Sequence, residues 1–400
     1  MQVFLYEHIS SGGFVGRPWE PRFASQGLAM FYTMVAALAS EGHEVVSLVD
    51  ARIPEAVLPP QTTTHSVRSG EDWEASMRIA CRDSDLGIVI APEDEGILLN
   101  IIEAVRSTGL GVIGPDLETA ELCSDKSQCI ELFEDLSLSV SPYLVGTPEE
   151  ILGQELESIG YPSVAKPSMS SGGTHLHLVE SPEELESLMN TIEEEHGPKH
   201  LIVQEHATGE DVSASLLVSP DECKLLSTNR QDISLGDFIT ESGYLGGECP
   251  LDKTDSDRVS ETAMKIIEAL PGLKGYVGID FILGEERVIP LEINARLTVS
   301  AVGIARTRGQ TSLSAILDCV DGPIRPIPES IGYAAFAESD PIHSELTPFE
   351  DLMSIEGVVS PAVPLEGLSV SPYLCGWGKS RMEAREDLRR IRREVEKTWS

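Results

Sequence analysis

Basic residues are scarce in this 400-residue chain: 29 Lys+Arg stand against 66 Asp+Glu, a net charge of −37, and only nine of the basic residues are lysine. A surface of that sign repels nucleic acid and anionic membranes, which are held by clustered lysine and arginine, so neither is expected as a partner. The seven cysteines, at positions 81, 123, 129, 223, 249, 319 and 375, are odd in number and include no C-x-x-C pair. That argues against a structural zinc site and a disulfide framework, and for reduced intracellular thiols. Nowhere do 18 apolar residues run together, and Met1-Gln-Val-Phe-Leu-Tyr6 enters a strand pattern without a basic leader. Neither a membrane span nor a secretory leader is therefore expected, and a cytoplasmic location is.

What is present is an ordinary globular composition, 41% hydrophobic and 24% charged, on a chain longer than one compact core usually holds. Two to three domains are expected. Strand patterns at 2–6, 44–49, 86–91 and 111–114 alternate with helical periodicity at 26–40, 71–83 and 95–108. This alternation predicts a parallel α/β sheet over about residues 1–115. The turn Ser10-Ser-Gly-Gly13 after the first strand has the composition to hold an anion on backbone N–H groups, but lacks the G-x-G-x-x-G spacing, and a plain tight turn explains it equally well. The segment 119–147 reads as helical, with Lys126 near its start; alone, a lysine in a first turn is usually solvated.

Tyr161-Pro-Ser-Val-Ala-Lys166-Pro places one of the few lysines inside a short strand, where it needs an anionic partner, a ligand phosphate or a carboxylate. The small-residue loop Ser168-Met-Ser-Ser-Gly-Gly-Thr-His175 that follows suits either a hairpin connection or a flap over phosphates. Beyond an acidic scaffold helix at 181–196, Leu201–His206 and Val212–Val218 are strands around the turn Ala207-Thr-Gly-Glu-Asp211. Arg230 is a candidate phosphate clamp and Gly243-Tyr-Leu-Gly-Gly247 a candidate glycine lid. After a helix at 255–270 comes a β-hairpin, Tyr276–Leu283 and Val288–Arg296 joined through Gly284-Glu-Glu-Arg287. Alternation puts Glu292, Asn294 and Arg296 on one face and Leu291, Ile293 and Ala295 on the other, with Asp280 on the partner strand. Two carboxylates and an amide oxygen on adjacent strands form a hard oxygen set suited to Mg²⁺; a polar face turned to solvent is the plainer reading. The tail carries strand-like pieces at 332–338 and 367–374 and an ion-paired helix at 380–397.

Taken in order, Lys126, Val-Ala-Lys166-Pro with its glycine loop, Gln204-Glu-His-Ala-Thr-Gly-Glu-Asp211, Asp280 and Leu-Glu292-Ile-Asn294-Ala-Arg296 resemble the ATP-grasp superfamily, over roughly residues 115–310. The resemblance implies an α/β protein with an N-terminal Rossmann-like substrate domain (1–115), two ATP-grasp lobes (116–211 and 212–325), and C-terminal strands and a helix packed on the second lobe (326–400). It implies ATP and Mg²⁺, with Mn²⁺ as an alternative. Lys126 and Lys166 would take the phosphates under the loop Ser171, Gly172 and Gly173. Gln204, Glu205 and Ala207 would flank adenine, and Asp211, with Glu210 the alternative, would meet the ribose. Asp280, Glu292 and Asn294 would hold the metal, with Arg296 and Arg230 acting at phosphate or substrate. Gly278 stands where D-alanine–D-alanine ligases carry an arginine, Ala295 where a proline is frequent, and no bicarbonate site of the biotin-carboxylase type is recognisable. Glu7 with Ser-Ser-Gly-Gly, Asn229-Arg-Gln231 and Tyr244-Leu-Gly-Gly247 are more similar to the archaeal family that ligates tyramine to L-glutamate in methanofuran biosynthesis. The expected activity is an ADP-forming carboxylate–amine ligase acting on small molecules, with a homodimer as the default assembly. The competing expectations are a ligase for another amino acid and amine, and a nucleotide-binding regulator without turnover.

Overall fold

The computed structural model describes all residues except Glu20, Asp72, 171–175, 197–198, 237–241, 341–348, 366–367 and 399–400. Its first part alternates β1 (Gln2–Glu7), α1 (Pro21–Ser40), β2 (Glu44–Asp50), β3 (Thr62–Val67), α2 (Trp73–Arg82), β4 (Leu86–Ile90), α3 (Ile97–Ser107) and β5 (Val112–Ile113). The five strands form a parallel sheet in the order β3-β2-β1-β4-β5. Central strand β1 is apolar on both faces because both are covered: Val3 and Leu5 pack with Phe31, Val35 and Leu38 of α1, while Phe4 and Tyr6 pack with Met77 of α2 and Leu98 and Ile102 of α3. Among the described residues one helix segment, Phe23–Ser40, is long and apolar enough to cross a membrane, and 67% of it is buried inside the protein.

The next part contains α4 (Leu117–Ser124), α5 (Lys126–Asp135), β6 (Tyr143–Gly146), α6 (Pro148–Leu152), β7 (Ser163–Pro167), β8 (His177–Val179), α7 (Pro182–His196) and β9 (Leu201–Glu205). The strands form an antiparallel sheet, β6-β9-β7-β8. The helical stretch expected over 119–147 is broken in two at Asp125, whose extended backbone (φ −103°, ψ 107°) ends α4 and whose side chain accepts from the Ser127 N–H to cap α5. Residues 143–146 are a strand instead.

The rest is one eight-stranded antiparallel-paired sheet, β14-β13-β10-β11-β12-β15-β19-β16, built from β10 (Glu210–Val218), β11 (Cys223–Ser234), β12 (Gly243–Cys249), β13 (Gly275–Leu283), β14 (Val288–Asn294), β15 (Tyr333–Glu338), β16 (Val358–Ser360) and β19 (Tyr373–Gly378). A small hairpin of β17 (Val363–Leu365) and β18 (Leu368–Val370) stands apart. The C-terminal strands thus extend the sheet that carries the acidic hairpin. Helix α8 (Lys253–Ala269) covers one face, sharing a core with Val212, Ala214, Ile279 and Phe281. Helices α9 (Ala301–Arg308) and α10 (Thr311–Ser314) join α1 on the other. The short α11 (Phe349–Met353) precedes β16, and α12 (Arg381–Thr398) closes the chain against the C-terminal strands.

Residues 243–247, expected as a glycine lid, form the body of β12 between β11 and β15. Their glycines serve close strand approach: a Cβ on Gly247 would stand 2.6 Å from the Arg230 carbonyl oxygen. The turn Ser10–Gly13 is likewise no anion cradle, because the Ser10 amide is taken by the Glu7 carboxylate and the Ser11, Gly12 and Gly13 amides by the carbonyls of Glu7, Ile9 and His8.

Candidate active site

The acidic hairpin sets the centre of the site. Asp280 on β13 lies opposite Glu292 on β14, and Gly278 opposite Asn294. Ile279, Phe281 and Ile293 turn into the core under α8, so the intervening polar side chains face a cleft of about 550 Å³, within the usual range of small-molecule sites. The pairing register shifts between Asp280 and Phe281. Such a bulge re-aims one side chain, and Leu291, expected on the opposite face from Glu292, lines the cleft beside Ile282.

The two lysines reach this centre from the smaller sheet. Lys126, at the first position of α5, is buried and lies 3.3 Å from a Glu292 carboxylate oxygen while donating to the Ser170 carbonyl. Lys166 is buried on β7 and lines the same cleft. Gln231 donates to one Asp280 oxygen at 3.0 Å and Asn294 to the other at 3.1 Å.

The charges are strongly interdependent. Burial alone would raise Glu292, but Lys126 and Lys166 draw it down to about 2. Burial and the facing Glu292 charge push Asp280 well above the ordinary carboxylate range, against the hydrogen bonds from Gln231 and Asn294. Burial lowers Lys126, but Glu292 and Glu93 outweigh it and leave the ammonium above its ordinary value, whereas burial holds Lys166 down to about 8. Two half-buried carboxylates directly opposite, one pushed toward keeping its proton, are a site that favours added positive charge. A divalent cation would supply it. Among the described residues no group of three or more His, Cys, Asp or Glu forms a metal cage. Two carboxylates and the Asn294 amide fit a cation that keeps part of its shell for water and phosphate, as Mg²⁺ does and Mn²⁺ tolerates.

The structure brings Lys126, Lys166, Gln204, Glu205, Ala207, Asp211, Asp280, Glu292, Asn294 and Arg296 to the lining of one cleft. The buried Gln204 side-chain nitrogen has no partner among the described residues, a free donor in the place expected for a base. Of the two ribose candidates, Asp211 lines the cleft, whereas Glu210 pairs with Arg230 at 2.6 Å. Arg230 is not brought to the site. Strand alternation sends it to the face opposite Gln231, into that ion pair. Ser171, Gly172 and Gly173 lie outside the described residues. Sequence reasoning missed Glu93, a buried carboxylate that holds the largely enclosed Arg296 at 2.6 Å. It follows β4 at the C-terminal end of the parallel sheet, where ligand crevices form, and that position was the available signal.

Residues 43–119 match the pre ATP-grasp 3 domain family and residues 123–300 the ATP-grasp domain family. With this cleft and architecture, the chain belongs to the ATP-grasp superfamily. Over 220 residues it is 27% identical to tyramine–L-glutamate ligase of Methanocaldococcus jannaschii, an alignment covering 55% of this chain and 58% of that protein. The chain thus spans little more than half the length of this curated relative. Among solved structures, a putative ATP-grasp superfamily protein from Archaeoglobus fulgidus superposes with a TM-score of 0.59 at 22% identity, covering 86% of this chain and 94% of that one. L-amino acid ligase from Bacillus licheniformis superposes at 0.65 with 14% identity, covering 98% and 97%. These superpositions establish the fold.

Proposed function

We propose that the protein is an ATP-dependent carboxylate–amine ligase that forms an amide through an acyl phosphate, joining the γ-carboxylate of L-glutamate to tyramine as a step of methanofuran biosynthesis. The observation that carries the reaction class is the convergence of Asp280, Glu292 and Asn294 with Lys126 and Lys166 in one cleft. The named substrates rest on the similarity to the M. jannaschii ligase.

In this reading a carboxylate oxygen of the acid forms a bond to the γ-phosphorus of ATP as the bond to ADP breaks. Lys126 and Lys166 hold the phosphates and stabilise the charge that moves onto the leaving oxygen. Asp280, Glu292 and Asn294 would hold Mg²⁺, which when bound would supply positive charge for the phosphate oxygens. Arg296 orients the acyl phosphate. The amine nitrogen then attacks the carbonyl carbon, phosphate departs, and the nitrogen's excess protons pass to phosphate and solvent. Enclosure in the cleft protects the acyl phosphate from water.

ADP release measured for amino acids crossed with amines tests this, starting with L-glutamate plus tyramine and identifying the amide by mass. Glu292→Ala and Lys166→Ala are each expected to lower turnover by roughly 10²-fold or more, the size of losing one preorganised charge at a transition state. Unchanged turnover in either variant would overturn the site assignment. Turnover with another pair would keep the reaction class and replace the substrates, and ATP binding without turnover on any pair would make the protein a nucleotide-binding regulator.

A further inference from the structure

The cleft continues past Arg296 into the parallel-sheet domain, where its character changes. Its deepest charged group there is Glu7, at the C-terminal end of β1, only 3% exposed yet lining the cavity. The Glu7 oxygens accept from the backbone amides of Ile9 at 3.2 Å and Ser10 at 2.8 Å. Burial raises the proton affinity of Glu7 above that of an ordinary carboxyl, against the Ser10 and Ile9 hydrogen bonds and the Arg296 charge, so the ionised form awaits a cationic partner; that form offers about four acceptor sites, and capacity remains. Among the described residues Glu7 makes no ion pair. The cation on this side of the cleft that is largely enclosed, Arg296, is committed to Glu93, and Arg17 lies at the exposed rim. Helix α1 leaves room for the carboxylate with Gly27, where a Cβ would lie 2.5 Å from Glu7 Oε1. Around it Phe14, Phe23, Met30 and Ile97 make apolar walls, with Gln26, Asp94 and Glu95 on the same lining.

A buried carboxylate with spare acceptor sites and no direct ion pair, offset only at a distance by the Arg296 charge, at the end of a largely apolar pocket, calls for a cationic donor carried on an apolar body. We infer that this end of the cleft is the subsite for the amine substrate, a protonated amine with a flat apolar body, and that Glu7 recognises its ammonium group. The inference rests on the ligase reading above and assigns the side of the reaction that the nucleotide and metal residues leave open. Arg296, next to this subsite, is where the acyl group would wait; the bound ammonium gives up one proton to solvent, and the lone pair this frees stands beside its target.

Two measurements separate the inference from the reading beneath it. Wild-type protein with ATP, Mg²⁺, L-glutamate and hydroxylamine should yield the acyl hydroxamate, because a small neutral nucleophile needs no ammonium subsite; absence of both hydroxamate and amide with L-glutamate and with every other acid screened would overturn the ligase reading itself. With hydroxamate formed, Glu7→Gln is compared with wild type for tyramine and phenethylamine. The amine KM should rise about 30-fold, the scale of one hydrogen bond to a charged group, with the KM for L-glutamate within about 3-fold of wild type. An unchanged amine KM, or a rise confined to L-glutamate, overturns the assignment. Should Glu7→Gln fail to fold, Phe14→Ala decides: the kcat/KM ratio of phenethylamine to methylamine should fall about 10-fold through lost apolar contact, and an unchanged ratio overturns the subsite.

Discussion

Lys166 carries a penalty in the free protein that only a ligand relieves. Burial lowers it from an ordinary 10.5 to about 8. Between those values the unfolded chain binds more protons than the folded one, so stability rises with pH across that window, and below pH 8 the whole penalty, roughly 3 kcal/mol at 1.36 kcal/mol per unit, is present. Lys166→Met should therefore raise the ligand-free Tm at pH 7, flatten the rise between pH 8 and 10.5 relative to wild type, and weaken ATP binding by roughly 10²-fold in calorimetry. A lower Tm at pH 7 with unaltered ATP affinity would show that Lys166 is structural. Glu93 shows the opposite logic. It and Arg296 lie 203 residues apart in sequence and pair at 2.6 Å, Glu93 buried and Arg296 largely enclosed. Glu93→Ala leaves a buried guanidinium without its partner and should destabilise the protein by about 3–5 kcal/mol in urea unfolding, part of it restored by saturating carboxylate substrate. A loss below about 1 kcal/mol would mean that Arg296 finds another partner or water.

At the scale of elements, legibility followed the range of the interaction. The hairpin of β13 and β14 declared itself because strand alternation is local: Asp280, Glu292 and Asn294 share a face within one strand-turn-strand unit, Gly275–Asn294. The same rule misplaced Leu291, since a register shift depends on how two strands pair and leaves no local mark. It also misread β12, where glycines that look like a hinge are glycines because backbones on either side press close. Arg230 reads as a free cation in sequence; its partner Glu210 is on the neighbouring strand. Glu93 was invisible as a site residue because its partner Arg296 is far along the chain, whereas Glu7, part of the pattern that carries the family resemblance, shows its chemistry only where the cleft lining closes around it. The reading of β12 is open to a direct test. Gly247→Ala should destabilise the protein by about 1–3 kcal/mol, since the new methyl meets the Arg230 carbonyl and the strands must part. A lid glycine would instead leave Tm in place and change the turnover rate alone.

The molecule as a whole is built against its own charge. With a net charge of −37, the sheets are assembled under mutual repulsion among surface carboxylates, and arginines form specific pairs: Arg325 with Asp318 and Glu41, Arg390 with Asp387 and Glu394. Exposed pairs of this kind contribute little each, while the long-range repulsion is the sum over the whole surface. Added salt screens the repulsion first, because the Debye length falls from about 30 Å at 0.01 M to about 3 Å at 1 M, whereas the buried Lys126–Glu292 and Arg296–Glu93 pairs are screened far less. The ligand-free Tm should thus climb by several degrees between 0.01 and 1 M KCl, steeply at first and then levelling as screening completes, a shift worth on the order of 1–2 kcal/mol for a protein of this size. Sucrose at matched osmolality, which adds no ions, separates screening from preferential exclusion. A Tm that is flat or falls with KCl would show that the surface pairs, and not the net repulsion, dominate the electrostatic balance of the fold.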